Sequence, residues 1–437
     1  MKFLLLTLLS LSSVAHASLP ELFGASAGSI AIGNQAQKQS AANNYYAGSL
    51  LGYSKSTQFS FDLFYIDTDF INIHNVVTKN TTNTVTVNSN ETGNFEVNAK
   101  PTTLMAIHFS TPLFAPEGPK FNFSLFAPVD RVMESDTGEP YAPQYVMYAN
   151  RFSRPNITFN LAQSFGEWSF SAGVHTGIQT NGEANFVTHT TPGTYSLGKL
   201  SYNAKPSIGA LVSIAKKTNN HLSYFNFQQE MKSRFKSRAI SETEIASGAA
   251  FQFDLDMTSL LFYDPMTMRL GHQIDFGKSQ LYFSLDYQQW KNFEASTLKI
   301  QNNAGSVNSS KNFETLKLRN IFIPKIGYET QLHEKWKIKA GYFYRQSPLD
   351  ANKLKNAGNT IDVDKHVGSL GLAHLFSFYG KDLTLDLAYQ AHILQQKKIK
   401  KTPNQEDDQT AGLKIGSPGY KVGGMIHVLS LGLSWMY

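Results

Sequence analysis

Met425-Ile-His-Val-Leu-Ser-Leu-Gly-Leu-Ser-Trp-Met-Tyr437 closes the chain, and its two-residue beat decides the fold. Leu429, Leu431, Leu433, Trp435 and Tyr437 share one face of an extended strand, and Val428, Ser430, Gly432, Ser434 and Met436 share the other. Successive side chains of a strand point to opposite faces. One face is therefore apolar and aromatic, and the other is mostly small. In water, a strand of this kind with an uncovered edge invites aggregation. A closed barrel in a bilayer removes that difficulty, because lipid covers the apolar face and the first strand pairs with the edge.

Composition agrees with a barrel. The 437 residues contain no interior apolar run of the roughly 18 or more that a transmembrane helix requires. Aromatic residues make up 13%, which suits girdles at the two membrane interfaces. The formal charge of +6 is not gathered into a basic stripe, so nucleic acid is a poor partner. There is no cysteine, which excludes disulfides, thiolate metal sites and a lipid-anchoring thiol. The histidines show no metal-ligand spacing, and no cofactor is expected.

Residues 1–17 read as a secretory signal: Lys2, an apolar core from Phe3 to Val14, then Ala15-His16-Ala17 before the cut. Residues 18–56 do not alternate and read as compact short helices that plug the barrel. Within them Gly24-Ala25-Ser26-Ala27-Gly28 matches the G-x-S-x-G elbow of serine hydrolases. That elbow needs a preceding strand and His and acid partners. None precedes it here, so tight packing of small residues is the reading adopted.

Residues 57–437 read as the barrel. Clean alternation recurs at Phe59–Tyr65, Phe121–Leu125, Trp168–Val174, Ile208–Ile214, Leu281–Tyr287 and Leu383–Tyr389. About fourteen antiparallel strands fit the chain, with long and short connections taking turns. Long loops lie outside and short turns on the periplasmic side of such barrels.

The polar partners of these strands should face the lumen. They include Arg269, Asp286, Gln288, Lys339, Arg345, Asp386 and Gln390, since a charge on the lipid face costs about 2–4 kcal/mol at mid-depth. Two readings of the cations Arg269, Lys339 and Arg345 stand side by side. They bind an acidic ligand head group, or they belong to a charge network that fastens the plug. Pro128 marks either an opening in the third strand or the place where that strand stops, and Pro324 in the tenth raises the same question. Residues 237–264 read as an exterior loop, begun by a capping box at Ser241–Glu244. Its Phe251, Phe253, Leu255, Met257, Leu260, Leu261 and Phe262 form an apolar surface for ligand capture or for packing over the mouth. Lys397, Lys398, Lys400 and Lys401 form a basic run in the last loop, open to solvent or to lipopolysaccharide phosphates.

Three stretches resemble the FadL/TodX family of outer-membrane transporters. They are Phe23-Gly-Ala-Ser-Ala-Gly28 with Ala31-Ile32, Leu281 to Trp290 ending Asp-Tyr-Gln-Gln-Trp, and Pro324-Lys-Ile-Gly-Tyr328 followed by Trp336 to Pro348. The family closes its plug with Asn-Pro-Ala, whereas this chain has Tyr45-Tyr-Ala47-Gly48-Ser49-Leu50 there. The resemblance implies a monomeric, plugged barrel of fourteen strands in the outer membrane. It implies passive uptake of hydrophobic compounds such as long-chain fatty acids, hydrocarbons or detergent-like molecules. Outer loops would capture the ligand, the lumen would bind it, and a gap beside the third strand, near Pro128, would release it. The competing functions are a general polar porin-like channel, an outer-membrane lipase or protease, and a surface receptor.

Overall fold

The computed structural model describes residues 19–81, 90–95, 97–129, 145, 155–177, 180–191, 194–244, 250–293, 299–302, 318–349, 361–400, 412–417 and 419–437. The signal segment lies outside them. The first elements are three short helices, α1 (Leu19–Phe23), α2 (Ala27–Ala31) and α3 (Asn43–Tyr46), and a 3-10 turn at Gly48–Tyr53. No described helix is long and apolar enough to cross a membrane.

Fourteen strands close into a single antiparallel barrel. In chain order the strands are β1 (Gln58–Phe70), β2 (Ile73–Thr81), β3 (Asn90–Phe95), β4 (Thr102–Pro112), β5 (Lys120–Pro128), β6 (Asn156–Phe165), β7 (Trp168–Thr176) and β8 (Thr180–Thr191). Then come β9 (Thr194–Pro206), β10 (Ile208–Thr218), β11 (His221–Gln228), β12 (Met231–Glu244), β13 (Ala250–Asp264), β14 (Met266–Asp275), β15 (Ser279–Gln289) and β16 (Lys299–Asn302). The last are β17 (Ile321–His333), β18 (Trp336–Arg345), β19 (Lys365–Phe378), β20 (Lys381–Lys400), β21 (Gly412–Ser417) and β22 (Gly419–Met436). Strands β8, β9, β12, β13 and β16 form one sheet outside the barrel, and β2, β3 and β21 form another; the remaining strands make the wall.

The last strand closes the wall as its alternation demands. It pairs with β1 from Met436–Gln58 to Gly424–Phe70. Leu429 and Leu431 stand exposed on the outside, while Val428, Ser430 and Gly432 face inward. Phe59 stacks on Trp435 across this closure, with ring centroids 4.3 Å apart. Backbone bonds between Thr57 and Tyr437 finish the join at the short-turn end. The other wall strands repeat the pattern. In β17, Phe322, Pro324, Ile326 and Tyr328 are exposed and Ile321, Ile323, Lys325 and Glu329 are buried.

The exterior is more ordered than the sequence suggested. The stretch read as a loop at 237–264 is instead the hairpin of β12 and β13. Ser241–Glu244 lies in β12, so the capping box opens no helix. The period-2 spacing of Phe251, Phe253, Leu255 and Met257 outweighs that local signal, and pairing across β12–β13 satisfies the backbone. Lys397, Lys398 and Lys400 likewise sit on an extension of β20 paired with β22, and Lys401 lies outside the described residues.

Candidate functional site: the plugged lumen

Helices α1 to α3 and the 3-10 turn fill the bore. From Pro20 to Gln35 every residue is buried. Small side chains make this possible, because Ala25, Ala27, Gly28, Ala31, Gly33 and Ala36 let the hatch backbone approach the wall. One close approach is at Gly33, which takes φ +79° and lies against Gly341 of β18. A Cβ on Gly341 would come within 2.1 Å of the Gly33 nitrogen. Only glycine fits there.

Polar bonds fasten the hatch around the wall. The Asp62 carboxylate of β1 accepts from the Ala27 N–H at 2.8 Å. His108 of β4 contacts the Ala25 carbonyl through Nε2 at 2.7 Å and the Ser124 hydroxyl through Nδ1 at 2.8 Å. Its Nε2–H donates to that carbonyl, which leaves Nδ1 to accept from the serine. Asn44 donates to Ser124, Ser49 bonds Ser213, and Ser169 donates to the Ser49 carbonyl at 2.6 Å. On the far side Gln273 donates to the Ala36 carbonyl, Lys325 to the Asn34 carbonyl and Gln390 to the Asn34 amide oxygen. Lys38 pairs with Asp275. In the hatch itself Tyr46 accepts from the Ala25 N–H, and burial pushes its phenol up to about 12, so it stays neutral.

The lumen residues read from the strand alternation do face inward, in three groups. In the first, the Asp286 carboxylate holds Arg269 at 3.0 Å and Lys325 at 2.9 Å, and Arg269 also donates to the Tyr46 carbonyl. In the second, Lys339 lies 2.6 Å from Asp386 and 3.5 Å from Glu329, which also takes Lys337 at 2.9 Å. This group borders a polar cavity of about 330 Å³ on the short-turn side of the hatch, with Asp62 and Gln58 in its lining. In the third, Arg345 donates to the hatch carboxylate Glu21 at 2.7 Å, and Gln288 donates to the same oxygen at 2.7 Å. Trp290 donates through its indole to Gln288 at 3.1 Å. Arg269, Lys339 and Arg345 thus each have an anionic partner within the protein.

Apolar side chains surround the third group. Phe23, Trp290, Phe293, Ile321, Ile323, Phe343, Ile361 and Val363 are buried and belong to the apolar cluster that fills the upper lumen. Phe23 and Phe343 both pack on His392, at centroid distances of 5.5 and 6.1 Å. Two buried charged pairs border this cluster, Arg345–Glu21 and Lys365–Asp362 at 3.1 Å, and charge beside an apolar cluster can receive a molecule with one polar end.

Several members were missed from the sequence. Lys325 and Glu329 were legible, since they alternate with Phe322, Ile326 and Tyr328 on one strand. Asp62 was legible as well, since it alternates with Phe61 and Leu63 on β1; His108 sits in a strand that alternates less cleanly, and Glu21 lies in a segment without periodicity. Ser26 is the N-cap of α2: its hydroxyl accepts from the Ser29 N–H, and the Ser29 hydroxyl accepts in return from the Ser26 N–H. Ser26→Ala should therefore cost about 1 kcal/mol of stability, the usual worth of a cap, in a chemical unfolding curve. It should leave uptake unchanged.

The capture residues all lie on β13, with Leu261 skipped where its register with β12 slips between Ser233 and Arg234. Leu255 and Met257 are half-buried, and the acidic Asp254 and Asp256 between them hold Arg238. Pro128 is the last residue of β5, buried and opposite Leu104.

A closed antiparallel barrel with a lipid-facing apolar exterior and a hatch bonded to its inner wall is a plugged outer-membrane β-barrel. The family described as outer membrane protein transport protein (OMPP1/FadL/TodX) matches residues 7–428, and the chain belongs to it. It is an outer-membrane β-barrel of that family. Alkane uptake protein A of Marinobacter nauticus is 22% identical over 267 residues, which cover 56% of this chain and 58% of that protein. Among solved structures, a Pseudomonas aeruginosa FadL homologue superposes with TM-score 0.61 at 15% identity, over 93% of this chain and 96% of the other. The P. putida toluene transporter TodX gives 0.52 at 12% identity, over 95% and 98%. These likenesses establish the same fold.

Proposed function

We propose that the protein takes up hydrophobic compounds passively, and that the upper lumen beside Arg345 is where they bind. The observation that carries this reading is the Glu21–Arg345–Gln288 group set at the edge of a buried apolar cluster. A long-chain fatty acid would place its carboxylate on Arg345 in place of Glu21 and its chain against Phe343 and Ile323. A hydrocarbon would use the apolar part alone, in keeping with the alkane and toluene named for its relatives. Arg269 and Lys339, tied to Asp286 and Asp386, would set the field of the lumen without touching the ligand. Capture begins on the outer sheet, where β13 carries the apolar stretch from Phe251 to Phe262.

The hatch is bonded to wall strands around the bore, so the ligand leaves sideways into the bilayer rather than through the hatch. The barrel is complete in one chain, and the protein acts as a monomer. The cations exposed above the membrane, Lys397 and Lys398 among them, would lie among lipopolysaccharide phosphates. No catalysis is part of this reading, because Ser26 is spent on a helix cap.

A fluorescence-displacement titration tests it. Saturable binding of long-chain acids and of alkanes is expected. Arg345→Gln should weaken the acid about 30-fold, since a hydrogen bond to a charge is worth about 2 kcal/mol. It should leave the alkane unchanged. Equal loss for both ligands would place the acid head group elsewhere.

A further inference from the structure

We propose that the ligand crosses the wall between β17 and β18, at a seam flanked by Pro324 and Pro348. The inference rests on the uptake reading above and assigns its exit. Pairing of these two strands climbs from the His333–Trp336 turn to Lys325–Phe343 and stops there. Contact resumes at the Leu318–Leu349 bridge, where the Arg319 N–H donates to the Pro348 carbonyl at 2.8 Å. Seven steps along one edge, Lys325 to Leu318, are matched by six along the other, Phe343 to Leu349, so the edges have slipped by one residue. Their outer neighbours do not slip. β17 stays paired with β15 up to Ile321–Gln288, and β18 with β19 up to Arg345–Lys365.

The cause is in the sequence. Neither Pro324 nor Pro348 has an N–H to give, and a proline inside a ladder is tolerated only at an edge or bulge. Each side of the seam has the chemistry of a route for apolar molecules. Toward lipid lie Phe322, Pro324 and Tyr342, all exposed, and Gly368, opposite Tyr342, with open space where a side chain would be. Toward the lumen lie Ile321, Ile323 and Phe343, with Arg345 next on the same face of β18. A ligand held at Arg345 would have its chain directly behind the seam.

Two other places in the wall compare unfavourably. The third wall strand, β5, pairs with β4 from Lys120–Pro112 to Pro128–Leu104 and with β6 from Lys120–Ala162 to Phe126–Asn156, with no slip in either ladder. Strands β20 and β22 do slip between Leu394 and Lys397, but there Tyr145 closes the bulge. Its hydroxyl donates to the Gly423 carbonyl and accepts from the Gly423 N–H.

The natural chain has no cysteine, so paired cysteines can stitch the seam. Phe322→Cys with Gln346→Cys places thiols three steps above the last paired residues and leaves both prolines in place. Oxidised, this variant should bind fatty acid and alkane as the native protein does, yet cells carrying it should take them up at least tenfold more slowly. Reductant should restore uptake, and because both states are the same variant, a folding defect would persist in both. Tyr328→Cys with Ala340→Cys, Cα partners in the paired part of the same ladder, should change nothing on oxidation. Normal uptake with the seam stitched would overturn the proposal and leave the uptake reading intact. So would a block produced instead by Leu125→Cys with Ile157→Cys across β5 and β6. Absence of binding in the native protein would sink both.

Discussion

Gly341→Leu should turn a closed barrel into a conducting one. The hatch backbone at Ile32 and Gly33 runs against the inner face of β18 with no room for a Cβ: the added atom would lie 2.1 Å from the Gly33 nitrogen and 2.3 Å from the Ile32 carbonyl carbon. Those are backbone atoms, so no side chain can swing aside. Gly33 itself holds φ +79°, a conformation other residues rarely take, so the hatch cannot easily re-form a nearby turn. Overpacking of this kind costs about 1–3 kcal/mol in a soluble core. Here the strain has an outlet, because the hatch can move while the wall stays closed. In planar bilayers the native protein should be electrically quiet and Gly341→Leu should open steady steps. A silent variant that still unfolds like the native protein would show that the hatch is not seated as described.

The largest loss of stability is expected from Asp286→Ala. This carboxylate is fully buried and holds two cations, Arg269 and Lys325, that are almost as buried as it is. Removing one partner of a buried charge pair costs about 3–5 kcal/mol, because the remaining charge has no compensation. Two cations are stranded at once here, and both also hold the hatch, through the Tyr46 and Asn34 carbonyls. A urea unfolding series in detergent should show a loss in that range or above it, together with leak currents like those of Gly341→Leu. A loss below about 1 kcal/mol would mean that water reaches this part of the lumen freely.

The architecture was legible because lipid imposes a strict rule. Leu429, Leu431, Leu433 and Trp435 must all point one way, and a slip of one residue would turn them inward. The same rule placed Arg269, Asp286, Gln288, Lys339, Arg345, Asp386 and Gln390 in the lumen, since the lipid face is closed to them. It could not say which cation meets which anion. Arg345 finds Glu21 across 324 positions of sequence, and Glu21 sits in a hatch without any repeat to read. The exterior was misjudged where polar and apolar residues mix. Ser241-Glu-Thr-Glu244 is a helix-start signal by local chemistry, yet strand pairing with β13 decides its conformation. Pro324 was visible as an oddity in a strand; that it coincides with a one-residue slip opposite Pro348 required the register.

The most direct test of the account is uptake by whole cells, with and without the protein, of a long-chain acid or alkane alongside a small sugar. A hydrophobic lumen closed below by a bonded hatch predicts that hydrophobic uptake saturates and is lost without the protein, while sugar entry does not change. Loss of sugar entry with hydrophobic uptake intact would mean that the bore is an open polar channel, and would contradict it.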